Sequence, residues 1–234
     1  RFFREYFDYP KVADVFKDDT RHDGRHKPYE LIKEADWFVL GILREDKKVL
    51  ERLLTDDWYF VQPHRSKRPS FTAPSYNFDE ETPWPESPQG FRQAPVQMPA
   101  GQRAGMLTHP AWLAAHSGNF ENDPVRRGKW IREQLLAGIV PDIPIGVEAQ
   151  LPEEPHRTLR QRFDVVKAEG CWRCHKKMNP LGNPFEAYDD FGRFRTHHLV
   201  DGDGNVMATE FEAFSRTRKM RWRDSHERGH PLES

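Results

Sequence analysis

Residues 170–175 read Gly170-Cys171-Trp172-Arg173-Cys174-His175, and the only two cysteines of the chain lie here. The run fits C-x-x-C-H, the attachment signature of a c-type haem. The spacing has a chemical reason. Two thiols add to the two vinyl groups of the porphyrin as thioethers. Cysteines three apart share one face of a helical turn. The adjacent histidine then points a ring nitrogen at the iron as its proximal ligand. Cys171 and Cys174 are therefore the candidate attachment residues, and His175 is the candidate metal ligand, for one covalent haem c. Other readings compete. A redox C-x-x-C of the thioredoxin type wants a βαβ context, whereas the flanks here read as helical and irregular. Half of a zinc site would need further ligands, which His109, His116, His197 or His198 could supply. A simple disulfide or a chance match is the plainest alternative.

Upstream of the pair, Thr158–Glu169 has helical spacing, with Leu159, Phe163 and Val166 on one stripe and Gly170 placed to close it. Downstream the chain continues as CWRCHKKMNPLGNPFEAYDDFGRFR over residues 171–195. This stretch resembles the planctomycete-type cytochrome-like domains, which are catalogued as domains of unknown function. Asn179-Pro180-Leu181-Gly182, Phe185-Glu186, Tyr188-Asp189 and Gly192-Arg193-Phe194-Arg195 carry the likeness. Arg103–Pro110, Pro124–Trp130, Glu133–Leu136 and Thr158–Arg162 resemble earlier parts of the same domain. Residues 1–63 resemble the end of a companion domain that usually precedes it. The resemblance implies a covalently bound haem, export from the cytoplasm to the periplasm or cell surface, and a larger multidomain parent. On this reading the chain is a fragment. The resemblance implies no particular reaction.

Around the motif, Pro180-Leu181 resembles the turn that packs beside the proximal histidine in many cytochromes, where a backbone carbonyl orients the imidazole, and reads equally as an ordinary turn. Arg193 and Arg195 are candidates to pair with haem propionates. Trp172, with Phe185 and Phe191, would wall the haem from water. For the sixth iron ligand the first choice is His109, followed by Met207, with His116, Met106 and Met220 also open. Met178 lies three residues after His175 and is expected to stay on the proximal side. A histidine–methionine pair suits electron transfer, and an open sixth position permits small-ligand chemistry.

The rest of the chain supports a mainly α protein with long irregular connectors. Leu31, Ile32, Ala35, Phe38, Val39, Ile42 and Leu43 form a helical stripe after Pro28, and Val49–Leu54 continue it. Residues 1–16 are aromatic-rich with roughly helical spacing, broken at Pro10. Trp58–Val61 read as a brief strand or an aromatic anchor. Residues 63–100 hold eight of the 19 prolines. Proline removes donors and blocks helix interiors, so this is an extended connector, and its aromatics imply that it packs against something. Asp123 reads as an N-cap before Pro124, and Gly138 as the stop of that helix. The expected layout is a helical module at 1–62, a Pro-rich connector at 63–100, a monohaem cytochrome c-like helical domain at 101–196, and a polar irregular tail at 197–234.

The 234 residues are 36% hydrophobic, 31% charged and 12% aromatic, with a formal net charge of −1 and a mean hydropathy of −0.88. That many aromatics argue for a folded chain. The balanced charge argues against a nucleic-acid partner. The longest apolar run, Trp37–Leu43, is too short for a membrane span. Asp201-Gly-Asp203-Gly-Asn205 with Glu212 has part of a calcium-loop pattern, but Val206 stands where that loop needs glycine. The function that follows is electron transfer to a redox partner protein. The alternatives are an interaction module, docked on other domains or subunits with its haem mainly structural, and a peroxidase-like enzyme with an open sixth position.

Overall fold

The computed structural model describes residues 1–18, 26–61, 76, 95–98, 101–142 and 159–194, with the backbone alone at 160, 161, 169, 197–200, 206–209 and 229–231. It is mainly helical, as the periodicity predicts, and has two compact units. The first comprises residues 1–122 and 190–194, the second 123–189 and 195–234.

In the first unit, α1 (Phe2–Phe7) ends where Asp8 turns left-handed, and Tyr9–Ala13 continue as a 3-10 turn opened by Pro10. Arg4 Nε donates to Asp36 Oδ1 at 2.7 Å, and the Tyr9 hydroxyl donates to the same oxygen at 2.7 Å. Both tie this segment to α2 (Pro28–Glu45). Of the stripe predicted for α2, Leu31, Ala35, Phe38, Val39 and Ile42 are buried, Ile32 is half-buried and Leu43 is exposed. Next, α3 (Val49–Thr55) leads into β1 (Trp58–Phe60). That strand pairs antiparallel with β2 (Pro95–Gln97), with Tyr59 opposite Val96. Both residues are buried while their strand neighbours are not, the alternation of a half-buried strand. The end of the Pro-rich connector is therefore a paired strand. Within it Tyr76 is fully buried, in accord with the expectation that the connector packs.

After a 3-10 turn at Met106–Thr108, α4 (Pro110–Ala115) has every residue buried. A helix apolar all round must be surrounded, and α4 packs against the 9–13 turn and α2. The units consequently divide after residue 122, not at the expected 100/101 boundary.

In the second unit, Asp123 caps α5 (Pro124–Trp130) by accepting from the Arg126 N–H at 2.8 Å. The helix continues as one π turn, Ile131–Leu135. Ala137, not Gly138, is the left-handed residue that ends it (φ 49°), while the Gly138 N–H donates to Arg132 O. Then α6 (Leu159–Arg162) passes into a 3-10 turn at Phe163–Lys167. The motif helix α7 spans Glu169–Gly182. Gly170 thus lies in the first turn of α7 and does not close the preceding helix. A further 3-10 turn covers Asn183–Ala187.

The α5–α7 crossing is close because both helices place a glycine there. A Cβ at Gly128 would lie 2.1 Å from Met178 O, and one at Gly182 would lie 1.7 Å from Pro124 O. The tail expected to be irregular contains β3 (His197–Val200), β4 (Val206–Thr209) and β5 (Gly229–Pro231), an antiparallel sheet ordered β4-β3-β5. Among the described residues no helix is long and apolar enough to cross a membrane.

Candidate functional site

The cysteine pair and His175 occupy the first half of α7. Helical rotation divides this helix into two faces. Cys171, Cys174, His175, Met178, Asn179 and Gly182 are half-buried or buried, whereas Trp172, Arg173, Lys176, Lys177 and Pro180 are exposed. Both thiols are free. Three residues apart on a helix, they project to the same side, and His175 follows one position on. His175 Nδ1 lies 3.0 Å from Asn179 Oδ1. The amide oxygen only accepts, so Nδ1 is the donor in this contact and Nε2 is the nitrogen left to carry the lone pair of a neutral ring. The contact sets both the tautomer and the ring plane, as is usual for histidines that ligate metals.

Asn179 is the partner of His175 that the sequence reading did not single out. That reading gave the orienting role to a carbonyl of a Pro180-Leu181 turn, but both residues lie within the last turn of α7. The available signal was the four-residue spacing from His175 to Asn179, which puts both on one helix face. Asn179 is itself held in place because Met178 and Gly182, on either side of it, pack against α5. The Met178 side chain is buried.

The remaining predicted residues divide between the units. Trp172 is 38% exposed on the solvent face of α7. Arg193 belongs to the first unit, with its guanidinium 5.4 Å from the Phe191 ring centre. Phe191 is fully buried there, edge-on to His26. Arg195, Met220 and the Asp201, Asp203, Asn205 and Glu212 positions of the calcium-like loop lie outside the described residues, and Met207 falls in β4.

His109, the first-choice sixth ligand, is wholly buried in the first unit. It is the N-cap of α4, and its Nδ1 accepts from the Ala111 N–H at 3.2 Å. With Nδ1 accepting, Nε2 carries the ring proton and faces the Tyr76 hydroxyl at 3.1 Å, while Tyr76 donates to Glu34 Oε2 at 2.9 Å. Burial, with a lesser contribution from Arg103, pushes His109 down to about 3, which keeps it neutral. Burial and the Glu34 carboxylate hold the Tyr76 phenol well above its ordinary value. The ring is thus committed at both nitrogens to the core of its own unit. His116 is also buried there, stacked on Trp112 at 4.6 Å with Nδ1 2.9 Å from Trp112 O. Met106 is buried in the same unit. Among the described residues no three His, Cys, Asp or Glu side chains gather as a metal site. A zinc reading would have to draw its ligands from elsewhere.

Residues 103–198 match the family model PSCyt3, protein of unknown function (DUF1588). The match contains the whole of α7 and is the planctomycete cytochrome-like domain family to which the same residues bear a resemblance. No curated protein and no solved structure matches the chain.

Proposed function

We propose that residues 123–189 carry one covalent haem c on α7 and that the protein transfers electrons outside the cytoplasm. The observation that supports this most is the joint state of three side chains: two free thiols one turn apart, beside an imidazole whose Nδ1–H is already held by Asn179. These residues fit the group on their own chemistry. Cys171 and Cys174 would hold it through thioethers, and His175 Nε2 would bind the iron. When bound, the haem supplies a one-electron couple, tuned by its axial ligand and the hydrogen bonds behind it. The part of α7 in this is to fix the thiols and imidazole on one face and to keep the ring from rotating.

A second reading is favoured by one observation. Both His109 nitrogens have partners in the core of its own unit, which favours a reading in which His109 is not the sixth ligand. An open sixth position would suit binding or activation of a small molecule. One experiment tests attachment and separates the readings. The protein is matured in a haem-attaching host, and the alkaline pyridine haemochrome is recorded after acid–acetone extraction. A c-type band that survives extraction is expected from the wild type and is lost in C171A/C174A. Absence of the band from the wild type sinks the proposal. A low-spin, six-coordinate ferric spectrum then supports electron transfer, and a high-spin form that binds cyanide supports ligand chemistry.

A further inference from the structure

We infer that the solvent face of α7 is a docking surface for an acidic partner protein, an electron donor or acceptor in the reading above, on which this inference rests. The face consists of Trp172, Arg173, Lys176 and Lys177, all exposed. Its charge is not balanced within the helix. Elsewhere on the described surface, cations commonly have a carboxylate of their own: Arg4 with Asp36, Arg52 with Glu45 and Asp56, Lys33 with Glu30, Lys48 with Glu51, Lys167 with Asp164. Arg173, Lys176 and Lys177 make no ion pair with any described residue. The sequence of α7 itself contains one carboxylate, Glu169, against these three cations.

The chain as a whole is nearly neutral, at −1. A local excess of three positive charges on one helical turn and a half is therefore a feature of this face and not of the protein's overall charge. An exposed tryptophan among the cations provides what interfaces favour, a rigid aromatic anchor beside charges that steer approach. The face borders the Cys171–His175 segment, so a partner seated on it would lie next to the group those residues hold. Charge complementarity selects a partner whose contact surface is rich in Asp and Glu.

The test uses the full chain and a fluorescently labelled oligo-glutamate, followed by anisotropy, which requires no haem. Wild type is expected to bind at low ionic strength, where charges interact over about 30 Å, and to release at about 1 M salt, where they interact over about 3 Å. R173E/K176E/K177E is expected to weaken binding by at least about tenfold. The comparison variant R44E/K47E, at exposed cations on and just after the end of α2, is expected to bind as wild type does. Equal loss in both variants, or none in the α7 variant, overturns the inference. Because the haemochrome spectrum is recorded on the same samples, failure of the haem reading shows separately. Binding without a c-type band leaves an anion-binding face and removes electron transfer, and a band without binding does the reverse.

Discussion

His109 shows how much one residue's surroundings decide. Its sequence position, just before Pro110 and seven residues from His116, made it the natural distal ligand. In the fold it is instead the start of a directional chain, His109 Nε2–H to Tyr76, and Tyr76 O–H to Glu34. The tautomer follows from the cap it makes with Ala111, a contact that no motif announces. Its folded value is about 3 against an ordinary 6.5, so the unfolded chain binds the extra proton first as pH falls. Stability from this residue is therefore complete above about pH 6.5 and is lost progressively between about 6.5 and 3, amounting to roughly 2–3 kcal/mol by pH 4.5. Urea midpoints of wild type and His109→Asn, recorded from pH 7.5 to 4.5, should converge as the pH drops. Parallel curves would refute the assignment. Asn179 makes the complementary prediction. In haem-loaded protein, Asn179→Asp should lower the reduction potential by strengthening the imidazole as a donor, and Asn179→Leu should move it the other way. The thioether band should persist in both variants. Equal potentials in all three proteins would leave the 3.0 Å contact without a tuning role.

The helices of the first unit were legible as elements, because α2 and α3 repeat apolar residues at the helical period, and α2 buries most of that stripe whereas α3 buries Leu53 alone. Elements that depend on partners were less so. Gly170 and Gly182 look alike in sequence, yet a Cβ at Gly170 meets nothing within 4 Å and one at Gly182 meets a carbonyl at 1.7 Å. Gly170→Ala should therefore stabilise α7, by about 0.5–1 kcal/mol. Gly182→Ala should force α5 and α7 apart and cost about 1–3 kcal/mol or more. Thermal melts of the two variants moving in the same direction would contradict the close crossing. The strands followed the same rule. Trp58–Phe60 can be read as a strand, but its partner at Pro95–Gln97 lies beyond a Pro-rich stretch where local propensity says nothing about pairing. In the tail, polar composition concealed the β3–β5 ladder because backbone hydrogen bonds, not apolar alternation, define it.

At the scale of the whole molecule, the sequence reading divided the chain by composition, and the fold divides it by burial. Residues 190–194 come soon after α7 and the 3-10 turn at Asn183–Ala187, yet they complete the first unit. Lys17 reaches Ser117 Oγ at 2.6 Å and Gly118 O at 2.5 Å and faces Asp190 Oδ2 at 3.9 Å, all of them buried or nearly so. Arg103 Nη2 donates to Gly192 O at 2.8 Å, and Gly192 (φ 83°) lies where a Cβ would be 2.8 Å from the Pro110 backbone. Removing one partner of a buried ion pair typically costs about 3–5 kcal/mol. Lys17→Met should therefore speed hydrogen exchange in α2 and α4 while leaving α5 near its wild-type rate. Uniform acceleration would show that the units do not open independently. The discontinuity also has a consequence for the order in which the chain is built. A ribosome delivers Cys171, Cys174 and His175 before Asp190 and Gly192, so the first unit is still missing its closing segment when the cysteine motif emerges. Any truncation that stops at residue 122, however natural that boundary looks on a linear map, would release a unit lacking its last piece.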